Sequence, residues 1–185
     1  MHNYFLELAR WVFIGFLLVF SLVAKAQVAK LEANLGACFP SQRFANSAKT
    51  GFGGDLNLKL KFNNTVSAGV LVGFHKFDPI EPAFSTIRIL PTVAFLDFYL
   101  SEGRVRPYIG EDIGIYTQFI TTAVGTKSNK SFLGFAHHFG VSIRLAPHIS
   151  LNLDAKYHAI NPFRSRGEGS VNYIGVNGGI EYAFY

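Results

Sequence analysis

Beyond Gln27 the chain alternates apolar and polar or small residues with a period of two, in segments of about ten residues or more. In a strand successive side chains point to opposite faces, so this repeat specifies strands with two unlike faces and does not fit a helix. Leu31, Ala33, Leu35, Ala37 and Phe39 alternate with Glu32, Asn34, Gly36 and Cys38. Phe52, Leu56, Leu58, Leu60 and Phe62 alternate with Gly53, Asp55, Asn57, Lys59 and Lys61. A third segment sets Val66, Ala68, Val70, Val72 and Phe74 against Ser67, Gly69, Leu71, Gly73 and His75.

The fourth segment, about Thr86 to Leu100, puts Leu96, Phe98 and Leu100 opposite Asp97. Pro91 cannot donate to a ladder, and a bulge or kink is expected there. The fifth, Val105 to Phe119, sets Ile109, Ile113, Ile115, Thr117 and Phe119 against Arg106, Tyr108, Asp112 and Tyr116. In the sixth, Leu133, Phe135, His137, Phe139, Val141, Ile143 and Leu145 oppose Ala136, His138, Ser142 and Arg144. The seventh sets Ile149, Leu151, Leu153 and Tyr157 against Asn152, Asp154, Lys156 and His158. Ile174, Val176, Ile180, Tyr182 and Phe184 close the chain opposite Asn177, Gly179 and Glu181.

The connections between these segments alternate in length. Asn63-Asn64-Thr65, Ser101–Arg104 and Ala146-Pro147-His148 are tight, whereas Pro40–Lys49, Lys76–Phe84, Thr121–Ser131 and Asn161–Ser170 are longer and polar. Short turns at one end and longer loops at the other are the pattern of an up-and-down outer-membrane barrel. The expected fold is therefore all-β, an eight-stranded antiparallel up-and-down transmembrane β-barrel.

Alternation alone does not say which face points inward. A soluble barrel of the lipocalin kind would bury the apolar face around a ligand cavity. Composition decides the matter. Only 16% of residues are charged against 49% hydrophobic, with 18 Gly and 19 Phe. The polar face mixes glycines with both signs of charge: Glu32, Asp55, Lys59, Lys61, Asp97, Arg106, Asp112, Arg144, Asp154, Lys156 and Glu181. Such a set fills a narrow lumen by pairing, with Asp112 expected to meet Arg106 or Arg144. The opposite, Leu-, Val-, Ile- and Phe-rich face suits lipid, where closure satisfies every backbone group.

Trp11 to Val23 is an apolar block behind Arg10, ending in Ala24-Lys25-Ala26-Gln27. It is shorter than the roughly 20 residues that span a bilayer and precedes a small-x-small cleavage pattern, as in a secretory signal peptide. Residues 1–26 are expected to be that signal, with an uncleaved anchor as the alternative, and residues 27–185 the barrel. The expected location is the bacterial outer membrane. The single cysteine, Cys38, excludes an internal disulfide and is expected to be a small buried residue.

At Arg106-Pro107-Tyr108-Ile109-Gly110-Glu111-Asp112-Ile113-Gly114-Ile115-Tyr116 the chain resembles the fifth strand of small OmpA/OmpX-type barrels. The closing Gly178-Gly179-Ile180-Glu181-Tyr182-Ala183-Phe184-Tyr185 is similar to their aromatic last strand. The resemblance implies a barrel inserted by the barrel-assembly machinery and surrounded by outer-membrane lipid and lipopolysaccharide. It implies no cofactor and no particular activity.

Glu111 departs from the pattern, because the period points it at lipid. A local bulge or a protonated carboxyl would account for it, and so would a subunit or partner contact shared with His137, including a homo-oligomer. His148-Ile149-Ser150 superficially resembles a His-x-Ser pair of a lipid A deacylase, but it sits in a turn without an orienting acid, and no enzyme is expected. His138 and His158 are candidate lumen neighbours, though a metal there would need further ligands. Lys127, Lys130, Arg164 and Arg166 are candidate contacts for lipopolysaccharide phosphates. Nothing points to nucleic acid, since there is no basic helix or stacking platform. Eight strands leave an interior that side chains just fill, so a structural or surface-interaction, adhesin-like role is expected. A narrow channel and a lipid A-modifying enzyme are the alternatives.

Overall fold

The period-two segments become strands that pair only with their neighbours in sequence. In a computed structural model, which describes residues 28–162 and 170–184, β1 (Val28–Ser41) leads into a short 3-10 helix (Gln42–Asn46). β2 (Gly51–Lys61), β3 (Val66–Phe77), β4 (Phe84–Tyr99) and β5 (Val105–Thr122) follow. β6 (Lys127–Ala146), β7 (Ile149–Ile160) and β8 (Val171–Phe184) complete the sheet, and β8 pairs with β1 to close an antiparallel barrel. The segment expected to be a signal peptide lies outside the described residues.

Inward and outward faces separate as period two requires. Leu35, Leu56, Val72, Ile113, Phe139 and Val176 stand exposed on the outer surface, while Glu32, Asn57, Asp97, Asp112, Asn152 and Glu181 are buried inside. Along β4 the outward apolar residues run from Leu90 to Leu100. At about 3.4 Å per residue and a tilt near 40°, that band is about 26 Å tall, the height of a hydrocarbon layer in barrels of this type.

The short-turn end is tightly made. In the β2–β3 turn the Asn63 side-chain oxygen accepts hydrogen bonds from the backbone N–H of Thr65 at 2.8 Å and of Val66 at 2.7 Å. This local bond is why an Asn-initiated turn closes so few residues.

The structure corrects two expectations about local form. Pro91 makes no bulge: β3 and β4 keep one register on either side of it, from Val72↔Thr92 to His75↔Ile89, and β5 pairs with it through Tyr116. The ladder merely lapses where the missing N–H would donate. Register shifts occur instead at Phe84/Thr86 and Arg144/Ala146. The expected loop Thr121–Ser131 is mostly strand, because β5 and β6 continue pairing up to Thr121↔Lys127. Thr117, Gln118 and Ser131 are compatible with strands in water as well as lipid, so polarity marked where the membrane ends and not where the hairpin ends.

At the long-loop end the interior turns apolar. Phe44 from the 3-10 helix dips into the barrel mouth and meets Phe77 edge-on at 5.1 Å, and Phe77 meets Tyr173 at 5.3 Å. Ile87, Ile89, Tyr116, Ile160 and Val171 join a buried cluster there that continues through Leu71 and Val93 down to Phe95, and Cys38 belongs to it as a small core residue.

Candidate functional site

Inward side chains from neighbouring strands lie about 5 Å apart, so charges separated by one strand meet directly. Lys59 of β2 sits at the centre of such a group. Its Nζ lies 2.9 Å from Asp97 Oδ2, 3.1 Å from Glu32 Oε2 and 3.6 Å from Glu181 Oε2. The same ammonium lies 5.6 Å from the centre of the Phe95 ring and 5.5 Å from that of Tyr108, both buried. Lys30 of β1 binds Glu181 of β8 at 2.6 Å, so β1, β2, β4 and β8 all supply ions at this level.

His138 joins that group to a second. Its Nε2 is hydrogen-bonded to Asp97 Oδ1 at 2.9 Å, and its Nδ1 lies 3.1 Å from Asp112 Oδ1. Asp112 in turn takes Lys156 Nζ at 3.0 Å, and Asn177 donates to Asp154 at 2.8 Å. Gly110 makes room for the imidazole: a Cβ there would come within 2.6 Å of His138 Cε1. The void left among these side chains is about 10 Å³, at the threshold for a single water.

Higher in the barrel, Asp55 faces His75 Nε2 at 3.1 Å, and His75 Nδ1 lies 2.7 Å from the Tyr173 hydroxyl. His158 stacks on Tyr173 with ring centres 4.3 Å apart and shares a hydrogen bond with Tyr116.

Several expected partnerships differ from those found. Asp112 does not pair with Arg106 or Arg144 but with Lys156 and His138. Arg106 lies lower, stacked 4.0 Å over the Tyr99 ring and donating to the carbonyl oxygens of Asn64 and Ser101. Lys61 binds Asn64 in the turn at 2.8 Å, and Arg144 is exposed at the mouth of a cavity of about 90 Å³ that both share with Arg106. These three line the short-turn opening and stand apart from the interior network. His138 and His158 lie diagonally on the paired strands β6 and β7, with His138 directly opposite Lys156 and His158 opposite Ala136. Among the described residues no three His, Cys, Asp or Glu side chains are grouped to hold a metal.

Sequence reasoning missed Lys30, His75 and the tyrosines as members of these groups. Lys30 shares the parity of Glu32, and that signal was available two residues earlier in the same strand. His148 is held in its turn by Ala183 O at 3.1 Å and lies over the Tyr182 ring.

Outside the barrel, Glu111 and His137 are direct cross-strand partners on β5 and β6. His137 Nδ1 lies 2.6 Å from Glu111 Oε2, and both side chains are more than half exposed on the lipid side. The strands pair through this point without a register shift, so the expected bulge at Glu111 is absent. Among the described residues they are the only acidic or basic side chains on the outer face between the two rims of the apolar band.

At the long-loop rim, Lys76 and Arg88 are cross-strand neighbours facing outward, and Lys76 stands 5.8 Å over the Phe52 ring. Arg88 and Lys127 line a shallow groove of about 630 Å³ with Ser85, Thr86, Ser128 and Asn129. Lys130 is exposed on the same hairpin, whereas Arg164 and Arg166 lie outside the described residues.

The architecture recurs in solved structures. Neisserial surface protein A matches with a TM-score of 0.67 at 15% identity, over 84% of this chain and 97% of that one. OprG from Pseudomonas aeruginosa matches at 0.56 and 15% identity, over 87% and 97%. Ail, the attachment invasion locus protein of Yersinia pestis, matches at 0.55 and 15% identity, over 85% and 98%. Among curated proteins no relative matches. A family model described as outer membrane protein beta-barrel domain matches residues 13–184. With its closed ring of eight strands and a match spanning nearly its whole length, the chain belongs to the outer-membrane protein β-barrel domain family.

Proposed function

We propose that this outer-membrane barrel acts at its surface, as a structural and lipopolysaccharide-engaging protein with a filled lumen, and not as a pore. The observation that carries this reading is the two-part filling of the interior. An apolar cluster around Phe44, Phe77 and Tyr173 occupies the outer end, and the Lys59 and His138 ion pairs occupy the middle with a void near 10 Å³. A solute crossing the barrel would have to break both.

The rim supports the other half of the proposal. Lys76, Arg88 and Lys127 lie where the apolar band gives way to polar strand, which suits contact with lipopolysaccharide phosphates, and the aromatic Phe52 beneath Lys76 suits an interface. Ail, a neighbour in fold, has been solved with the heparin analogue sucrose octasulfate, a polyanionic sugar. A basic rim groove here suits a ligand of related chemistry, a phosphorylated saccharide.

Planar bilayers containing the protein are expected to stay silent, and lipopolysaccharide binding is expected to weaken several-fold in an Arg88→Gln/Lys127→Gln variant. Discrete conductance steps that respond to Lys59→Gln would replace this reading with the narrow channel. Altered lipid A on expression would replace it with the enzyme.

A further inference from the structure

We infer that Glu111 and His137 form the seam of a two-fold dimer between copies of this chain. The pair stands within an apolar band: on β5 Ile109 and Ile113 flank Glu111, and on β6 Phe135 and Phe139 flank His137. Hydrocarbon offers no water to the carboxylate oxygen and ring nitrogen that the 2.6 Å contact leaves over. A second protein surface with matching groups does.

The placement of the two residues selects the partner. They sit side by side around the barrel, on adjacent strands in one register, and not one above the other on a single strand. A copy rotated by half a turn about the membrane normal keeps its orientation in the bilayer and presents His137 opposite Glu111, and Glu111 opposite His137. The patch therefore complements itself in charge, as an isologous interface requires. An acyl chain offers neither charge.

Shape follows the same rule. Phe139, next along β6, projects with 67% of its surface exposed. Its cross-strand partner on β7 is the small Ala155, which lines a recess of about 590 Å³ that Glu111, His137, Tyr157, Ile174 and Phe139 itself also line. A knob and a hole on one patch are what a two-fold contact uses. The pairing is independent of the proposed rim function.

The test is sedimentation of the full-length mature protein in density-matched detergent, with thiol cross-linking in outer membranes through Ile113→Cys in a Cys38→Ser background. Wild type is expected to sediment as a dimer and to cross-link to itself. Glu111→Leu and His137→Leu are each expected to give folded monomers and a loss of most cross-linked product. The exchange Glu111→His/His137→Glu restores complementarity and is expected to restore the dimer. Folding of every variant is checked by its migration on a gel before and after boiling, and the double exchange decides the matter if a single variant fails that check. A monomeric wild type, a dimer indifferent to these substitutions, or cross-links only to a different protein or a retained lipid would overturn the inference.

Discussion

Lys59 is the residue on which the interior depends. It is buried among Glu32, Asp97 and Glu181, each within 3.6 Å. Removing one partner of a buried ion pair leaves an uncompensated charge, which costs about 3–5 kcal/mol, far more than the intact pair contributes over an apolar substitute. Lys59→Met takes the shared cation from three carboxylates, of which Glu181 keeps Lys30, Asp97 keeps His138 and Glu32 keeps the Asn34 amide, so it is expected to lower stability by about that amount. The urea midpoint of the gel-mobility shift between folded and unfolded forms measures it. Replacing Lys59 and Asp97 together, Lys59→Met/Asp97→Leu, is expected to recover part of the loss, and an unchanged midpoint in Lys59→Met would show that the network carries no stability. The sequence made these residues legible as inward charges but not who meets whom. Asp112 has the parity of Arg106, yet six residues along β5 is about 20 Å at strand rise, while Lys156 lies two strands over and within reach. Parity is a property of one strand. Partnership needs the register of three.

At the scale of elements, the first long connection contributes more than a link. The 3-10 helix Gln42–Asn46 spends its one buried side chain, Phe44, on the apolar cluster, and Ala48 bridges to Pro79 of the next loop. Phe44→Ala removes a buried ring from a closed cluster, for which about 3–5 kcal/mol is the usual cost. Because the connection has no other apolar anchor of that size, local release is the expected result. Limited proteolysis should then cut within residues 42–50 while the strands stay protected, and an equal rate of cutting in wild type and variant would refute the anchoring role. The strands themselves were legible because period two runs through the apolar part of each, least regularly in β4 around Pro91. The helix was not, since five residues carry no periodicity, and the β5–β6 hairpin was under-read because strand pairing continues past the point where the side chains stop being apolar.

Over the whole molecule, two fillings divide the lumen by height. The apolar cluster occupies the long-loop end and the ion-pair groups the middle, with Asp55, His75 and Tyr173 at their junction. Gly51, at the level of Cys38 and the cluster, and Lys59, at the level of Lys30, are eight residues apart on β2, about 27 Å along the strand. Sites that far apart usually behave independently, within about 0.5 kcal/mol, and Phe95, beside Lys59 and in the same buried cluster as Phe44, is a link through which they could couple. The losses from Lys59→Met and Phe44→Ala are therefore expected to add in the double variant, measured by the same urea midpoints. A double variant markedly more stable than the sum would mean that the closed ring of strands transmits one zone's disruption to the other, so that the barrel yields as a single unit. Additivity would instead mean that the outer plug can loosen while the ionic middle stays shut, which is what a surface protein with working loops and a sealed interior requires.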